Sequence, residues 1–181
     1  MKKFSIFKII SIILAVIFVF AVVPAFINLL RAENLNSYNV NQENFLRVFV
    51  ERVVDGDTII VRVAENNLGL TERERVRLIG VDTPEIAHPT RGIEPYGIEA
   101  SDFAKGVLER KYVFLDFDRE LRDRYGRVLA YVYTEDGDHF NARLVKEGYG
   151  IAYLNYEFKY MDEFSGYENE AKQKKLGLWG L

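Results

Sequence analysis

Cysteine is absent from this chain of 181 residues, and histidine occurs only twice. Without cysteine, the protein has no disulfide bonds and no thiolate metal ligands. Two histidines are too few for a zinc site built on several histidine ligands. If a metal is bound, oxygen atoms must hold it, which favours calcium, magnesium or manganese.

The start of the chain contains no acidic residues, and the rest of the chain has a negative net charge. Residues 1–32 contain four of the 24 Lys and Arg residues and none of the 27 Asp and Glu residues, so residues 33–181 have a net charge of −7. A domain this acidic does not attract phosphate over its whole surface. Any binding of nucleic acid must therefore come from a local cluster of cations.

Charge is also absent from residues 9–30, a run of 22 residues that follows three lysines. The run is long enough to cross a bilayer as a helix, and the preceding lysines predict a cytoplasmic N-terminus. The alternative is a cleaved signal peptide ending near Pro24. Pro24 favours the signal peptide, whereas the apolar residues that continue to Leu30 favour a retained anchor. Both alternatives place the domain outside the cytoplasm.

Three regions are expected: the anchor or signal at residues 1–30, a polar linker at 31–44, and one α+β domain at 45–181. Short β-branched segments bounded by turn residues predict strands. Apolar residues at helical spacing predict three helices. Five short strands interrupted by a helix can close into a Greek-key β-barrel of the OB type. The predicted strands are 45–54, 58–63, 75–81, 112–118 and 128–134, and the predicted helices are 98–108, 140–149 and a segment within 165–175.

Two aspartates occupy positions where predicted strands end. Asp57 lies in the Asp-Gly turn of a predicted hairpin, and Asp82 ends the third strand. At such positions a turn can aim a carboxylate into a cleft, and the backbone carbonyl of Thr83 would add a neutral oxygen that hard cations accept. Taken singly, each residue is also a common turn former.

One further carboxylate and two arginines complete a set suited to phosphodiester cleavage. Glu85 follows Asp82 by three residues, so it can lie beside a bound metal without ligating it and accept a proton from water. Arg77 and Arg127 can each donate two hydrogen bonds to phosphate oxygens and stabilise a five-coordinate transition state. The alternative for each residue alone is an ordinary salt bridge or a solvated loop.

Five segments of the chain resemble the staphylococcal nuclease (thermonuclease) family. They are VDGDT (54–58), RLIGVDTPE (77–85), YGIEA (96–100), DRYGRVLAY (123–131) and AKQKKLGLW (171–179). The resemblance covers residues 45–179. It implies an OB-fold barrel with three helices and a calcium-dependent nuclease that cleaves DNA and RNA to give 3′-phosphate ends.

The resemblance also implies a role for individual residues. It assigns the ligands of one calcium ion to Asp57, Asp82 and the Thr83 carbonyl, the catalytic roles to Arg77, Glu85 and Arg127, and substrate binding to Tyr125, Tyr153 and Arg124. Asn155 stands where a second base-contacting tyrosine is expected, although Tyr156 is adjacent. No obligate protein partner is evident, so a monomer is expected.

Two non-catalytic alternatives accompany the nuclease hypothesis. One is an OB-type module that binds nucleic acid, and the other is a calcium-stabilised adaptor at the membrane surface. The chain retains every charged residue that the proposed chemistry needs, which favours the enzyme.

Overall fold

A closed five-stranded barrel forms the centre of the structure. The computed structural model describes residues 45–64, 66–86 and 92–181. The elements in chain order are β1 (Leu46–Asp55), β2 (Thr58–Arg62), β3 (Arg73–Leu78), β4 (Val81–Asp82), α1 (Gly97–Leu108), β5 (Tyr112–Asp116), β6 (Val128–Thr134), α2 (Phe140–Lys146), β7 (Ile151–Ala152), α3 (Met161–Lys174) and a 3₁₀ helix (Gly177–Gly180).

The barrel strands pair in the order β1, β2, β3, β6 and β5, with β5 returning to β1. All of these pairs are antiparallel except β3 with β6, whose parallel pairing closes the barrel. Closure leaves no unpaired barrel edge. A closed barrel with three α-helices confirms the predicted α+β, OB-like fold for the described residues. The predicted helix at 1–30 and linker at 31–44 lie outside the described residues.

Branched apolar side chains fill the barrel from every strand. In β3, Val76 and Leu78 are fully buried, whereas Arg73 and Arg75 are exposed. This alternation is that of a strand with one face in the core. Each fully buried side chain of this size stabilises the fold by roughly 1.5–3 kcal/mol. Because this packed core fixes the strands, the polar residues at the strand ends have defined positions.

The third strand ends earlier than the sequence predicts. A single strand over residues 75–81 is wrong, because β3 stops at Leu78 and Gly80 adopts a φ of 76°. This left-handed conformation favours glycine, and a Cβ at this position would lie 2.6 Å from the Phe158 ring. After the turn, β4 leaves the barrel and pairs with β7. The break moves Asp82 out of the barrel ladder.

The three helices occur where periodicity predicts them, with shifted ends. In α1, a buried stripe includes Ala100, Ala104 and Leu108. Helix α2 ends at Lys146 rather than at residue 149, because Gly148 takes a positive φ. Helix α3 starts at Met161, before the predicted segment. Within the described residues, no helix combines the length and apolar content that crossing a membrane requires.

A buried asparagine ties α2 to the parallel seam of the barrel. The Asn141 side chain accepts a hydrogen bond from Val132 N at 2.8 Å and donates to the carbonyls of Ile79 at 2.9 Å and Ala130 at 3.2 Å. All three partners belong to, or directly follow, the strands that close the barrel. The satisfied amide stabilises the closure, since an unpaired buried amide would be costly.

An aromatic cluster surrounds the histidine that precedes α2. The ring centroid of His139 lies 4.6 Å from that of Tyr133, 5.0 Å from that of Tyr160, and 5.6 Å from those of Tyr131 and Phe164. The Nε2 atom is buried and has no hydrogen-bond partner. The site therefore accommodates a neutral imidazole and penalises a charged one.

We expect acid to destabilise the fold through His139. Burial, aided by the charge of Lys159, lowers the pKa of His139 from 6.5 to about 4. Between these values the unfolded chain binds a proton that the folded chain does not, so the free energy of unfolding decreases as the pH falls from 6.5 to 4, by about 3 kcal/mol. Urea denaturation at several pH values measures this loss.

The His139→Phe variant is the control for this prediction, because it keeps an aromatic ring and removes the titration. The difference in unfolding free energy between wild type and variant should change by about 3 kcal/mol between pH 7 and pH 4. Parallel pH profiles for the two proteins would contradict the assignment to His139.

Candidate active site

Asp57 joins the hairpin of β1 and β2 to the segment that follows β4. Its side chain is buried, and its Oδ1 accepts a hydrogen bond from Thr58 Oγ1 at 3.0 Å. Its Oδ2 accepts one from Thr83 N at 2.7 Å and another from Thr83 Oγ1 at 3.0 Å. Two segments that are 26 residues apart in the chain are therefore held together by one carboxylate.

Arg77 connects the two predicted metal ligands. It lies opposite Thr58 in the β2–β3 ladder, and its Nη2 donates to Asp82 Oδ1 at 2.5 Å. Its buried Nη1 forms an ion pair with Asp57 Oδ1. The structure thus brings Arg77, Asp57 and Asp82 together.

Burial shifts the pKa values of two charged groups at this site, Arg77 and Glu85. Burial lowers the pKa of Arg77; the charge of Asp82 opposes this effect and that of Arg127 adds to it. Burial raises the pKa of Glu85, with further increases from the charges of Asp55 and Asp82, while Arg77 opposes them. Glu85 and Arg127 therefore act electrostatically on the site, although among the described residues neither forms a hydrogen bond or an ion pair with Arg77.

Asp55 is a site residue that the sequence analysis did not single out. It is buried, its Oδ1 accepts a hydrogen bond from Asp57 N at 3.3 Å, and burial raises its pKa. The signal was present in the Asp-Gly-Asp turn, where only the second aspartate was assigned a role. Asp55 supports the turn that positions Asp57.

Contacts of the Glu85 backbone with Glu94 and Gly97 fix the position of this residue. Glu85 N donates to Glu94 Oε2 at 3.0 Å, and Glu94 N donates to the Glu85 carbonyl at 2.9 Å. A Cβ at Gly97, the first residue of α1, would lie 2.8 Å from the Glu85 carbonyl oxygen. Only glycine lets the helix start approach this closely, so α1 supports the proposed base.

Two more glycines pack against the residues next to Glu85. A Cβ at Gly56 would lie 2.8 Å from the Thr83 side chain, and a Cβ at Gly150 would lie 2.8 Å from the Asp82 carbonyl oxygen. A larger residue at either position would displace Asp82 or Thr83, which are predicted metal ligands. The sequence predicts a turn at Gly56 but does not reveal the packing role of either glycine.

Arg127 is positioned by Asp123 in the turn before β6. Asp123 Oδ1 accepts hydrogen bonds from the backbone N–H groups of Tyr125 and Arg127, each at 2.9 Å, and its Oδ2 accepts one from Arg127 Nε at 2.7 Å. Gly126 takes a φ of 79° in this turn. Asp123 is a further residue whose positioning role the sequence did not reveal.

The predicted substrate-binding residues form an exposed aromatic patch. Tyr125 is 69% exposed, its ring lies 4.7 Å from the guanidinium carbon of Arg124, and Arg124 Nη2 donates to its hydroxyl at 2.6 Å. The hydroxyl of Tyr125 raises the pKa of Arg124, with further contributions from Tyr156 and Tyr153. The rings of Tyr153 and Tyr156 are 6.0 Å apart. Tyr156 therefore accompanies Tyr153, next to Asn155.

The donor set fits a hard divalent cation. The carboxylates of Asp57 and Asp82 both contact Arg77, so their oxygens lie close together. With Asp55 and Glu85 nearby, the negative charges around Arg77 exceed its single positive charge. A cation would offset the charge that burial disfavours in Asp55 and Glu85. Among the described residues, no group of three or more His, Asp or Glu side chains is arranged to hold a metal ion. The fit to a cation therefore rests on the chemistry of the predicted ligands, which are the Asp57 and Asp82 carboxylates and the Thr83 carbonyl.

Known proteins resemble this chain over most of its length. The family model described as staphylococcal nuclease homologue matches residues 75–180. A thermonuclease of Staphylococcus intermedius is 43% identical over 145 residues, which cover 80% of each chain. A thermonuclease of Staphylococcus hyicus is 39% identical over 142 residues, 78% of each chain. Endonuclease YncB of Bacillus subtilis (strain 168) is 40% identical over 146 residues, covering 78% of this chain and 65% of that protein.

Barrel, site and relatives together define a nuclease, an enzyme that hydrolyses phosphodiester bonds. The chain belongs to the staphylococcal nuclease family. Membership implies a divalent metal cofactor, and it favours the enzyme over the non-catalytic binding module and the adaptor. The roles of single site residues stay predictions.

Proposed function

We propose that this protein is a calcium-dependent endonuclease that cleaves DNA and RNA outside the cytoplasm and leaves 3′-phosphate ends. One observation supports it most: the Arg77 guanidinium contacts the carboxylates of both Asp57 and Asp82, which places a cation and two oxygen ligands at one point. A phosphate at this point would bind the guanidinium and a metal ion held by the two carboxylates. The acids beside it provide the hard oxygen ligands that calcium prefers.

The two arginines bind the phosphate in this proposal. Arg77 is nearly buried, with 12% of its side chain exposed, so its interaction with a phosphate is weakly screened by water. Arg127 is held through its Nε by Asp123 in the turn before β6, and its partly exposed side chain would donate to the substrate through its terminal nitrogens. Together they stabilise the charge that develops on the phosphoryl oxygens in the transition state.

Glu85 accepts the proton of the attacking water. Its raised pKa makes it a stronger base than a solvated glutamate. The water oxygen forms a bond to phosphorus, its proton passes to Glu85, and the bond from phosphorus to the 5′-oxygen breaks. The 5′-oxygen then takes up a proton, and the phosphate stays on the 3′ side. Calcium held by Asp57, Asp82 and the Thr83 carbonyl would neutralise phosphate charge.

The aromatic patch of Tyr125, Tyr153 and Arg124 binds the bases and sugar–phosphate backbone beside the cleaved bond. Stacking on tyrosine tolerates any base, because every base offers a π-face. This explains how one site would accept both DNA and RNA without reading sequence. The protein acts as a monomer in this proposal.

Location outside the cytoplasm is inferred from the lysines and the apolar run at residues 1–30. The run either anchors the enzyme in the membrane or is removed during secretion. The mass of the protein recovered from its native cells distinguishes the two. Recovery of the protein in the cytoplasm would contradict this part of the proposal.

We expect the purified full-length chain to cut a labelled single-stranded DNA in the presence of calcium and to stop when a chelator is added. The products should end in 3′-phosphate, which mass spectrometry identifies. The same assay with magnesium and manganese, and with an RNA of the same sequence, tests the metal and substrate range. Calcium-independent cleavage, or binding without cleavage under all three metals, would overturn the proposal.

A further inference from the structure

The outer face of the β1–β2–β3 sheet places arginines beside the catalytic residues. Side chains alternate along β3, so Arg73, Arg75 and Arg77 share the face opposite to the buried Val76 and Leu78. Arg77 belongs to the active site. The other two extend the line of guanidiniums away from it along the strand.

Strand pairing arranges this face in three cross-strand rows. Irregularities in β1 between Val50 and Arg52, and between Val53 and Asp55, keep the outward side chains aligned with the other strands. The rows are Asp55, Thr58 and Arg77; then Arg52, Ile60 and Arg75; then Phe49, Arg62 and Arg73. Successive rows along β3 are two residues apart, which is about 7 Å. The first row is part of the catalytic site, and the next two carry four arginines.

Few acids neutralise these four arginines. Arg62 and Arg73 share Glu51, each at 3.1 Å. Among the described residues, Arg52 and Arg75 form no ion pair within 4.0 Å. The charge of Arg75 acts on Asp55 of the catalytic row.

Ile60 lies between two of the arginines on the outer face but is only 9% exposed. The apolar stems of Arg52 and Arg75, its neighbours on either side, are placed to cover it while their charged ends reach solvent. Their guanidiniums are therefore supported over the sheet and available to a ligand.

We propose that an arginine strip of Arg52, Arg62, Arg73 and Arg75 binds backbone phosphates of the substrate strand on one side of the cleaved bond. The inference rests on the proposed nuclease function and extends its site beyond the catalytic row. Residues 33–181 carry a net charge of −7, so attraction of a polyanion must be local, and the strip is a local excess of cations. Its row spacing is comparable with the repeat of an extended polynucleotide backbone.

The test compares a long and a short substrate. The Arg52→Gln/Arg75→Gln variant removes two charges from the strip, and the control Lys105→Gln/Lys174→Gln removes two charges from α1 and α3, where each lysine pairs with a nearby acid. The ratio of kcat/KM for a 20-nucleotide DNA to that for a dinucleotide should fall about tenfold in the first variant. It should match the wild-type ratio in the control.

Salt dependence gives a second readout. With a labelled oligonucleotide and a chelator to prevent cleavage, the slope of log Kd against log salt should decrease by about 1.4 in the strip variant, since each phosphate contact on a single strand contributes about 0.7. Arg52→Lys/Arg75→Lys keeps the charges and should restore the wild-type slope. Melting temperatures check that all variants are folded.

The outcomes separate the two proposals. If wild type cleaves both substrates but the strip variant keeps the wild-type ratio and slope, the strip is wrong and the nuclease proposal stands. If wild type cleaves neither substrate, both are overturned. Binding to vesicles of anionic lipid that the strip variant alone loses, with an unchanged cleavage ratio, would assign the strip to a membrane surface and reject the proposal.

Discussion

The Arg77→Lys variant should lose more than about 100-fold in kcat, although the side chain keeps its charge. Arg77 contacts Asp57 and Asp82 with its two terminal nitrogens at once. A lysine ammonium places its three donors on one nitrogen and has no planar fork, so it cannot hold both carboxylates in this geometry and also bind a phosphate through two parallel hydrogen bonds. Steady-state cleavage of single-stranded DNA measures the loss.

The Arg47→Lys variant is the matched control for Arg77→Lys. Arg47 lies at the start of β1, at the opposite end of the strand from the catalytic site, where it is exposed and pairs with Glu135. Its replacement should therefore leave kcat within about twofold of wild type. Thermal melting must show that the Arg77 variant is folded, because Arg77 also connects the hairpin to β4. A folded Arg77→Lys variant that retains a tenth or more of the wild-type kcat would contradict the role of Arg77.

The barrel was predictable because its signals are local. The Asp-Gly turn between two β-branched segments predicts the hairpin of β1 and β2, and the structure has that pair with Asp55 opposite Thr58. The end of β3 was not predictable in the same way. Ile79 and Val81 are β-branched and still favour a strand, and only the tertiary contact of Gly80 with Phe158 shows why the chain turns there.

The convergence of the site was predictable only in outline. Carboxylates and arginines at strand ends indicate phosphodiester chemistry, and the structure brings Asp57, Asp82 and Arg77 into contact. The supporting residues were not identified, since their roles depend on contacts between distant segments. Gly97 is an example: its lack of a side chain matters because the Glu85 carbonyl packs against it.

Long-range pairing also explains why the arginine strip was not apparent in the sequence. Arg52 and Arg75 are 23 positions apart, and they become neighbours only when β2 pairs with both of their strands. The alternation in β3 was visible, but the two-residue spacing of Arg73, Arg75 and Arg77 is equally typical of any solvated strand face. Strand register is the information that the sequence lacks.

Replacing Glu85 with glutamine should lower the single-turnover cleavage rate by more than about 100-fold without moving the site. The amide has nearly the same shape but cannot accept the proton of the attacking water. The backbone of Glu85 is held by hydrogen bonds with Glu94 and by the close approach of Gly97, so the substituted side chain keeps its position. The loss should therefore appear in the chemical step, not in binding.

A nucleoside bisphosphate with calcium provides the binding measurement for the Glu85→Gln variant. It should raise the melting temperature of wild type and variant alike, because Arg77, Asp57 and Asp82 are unchanged. The matched control is Glu99→Gln, an exposed glutamate in the first turn of α1, which should cleave at the wild-type rate. A Glu85→Gln variant that cleaves as fast as this control would exclude Glu85 as the base. Loss of the thermal shift would instead assign Glu85 to binding of the metal or the phosphate.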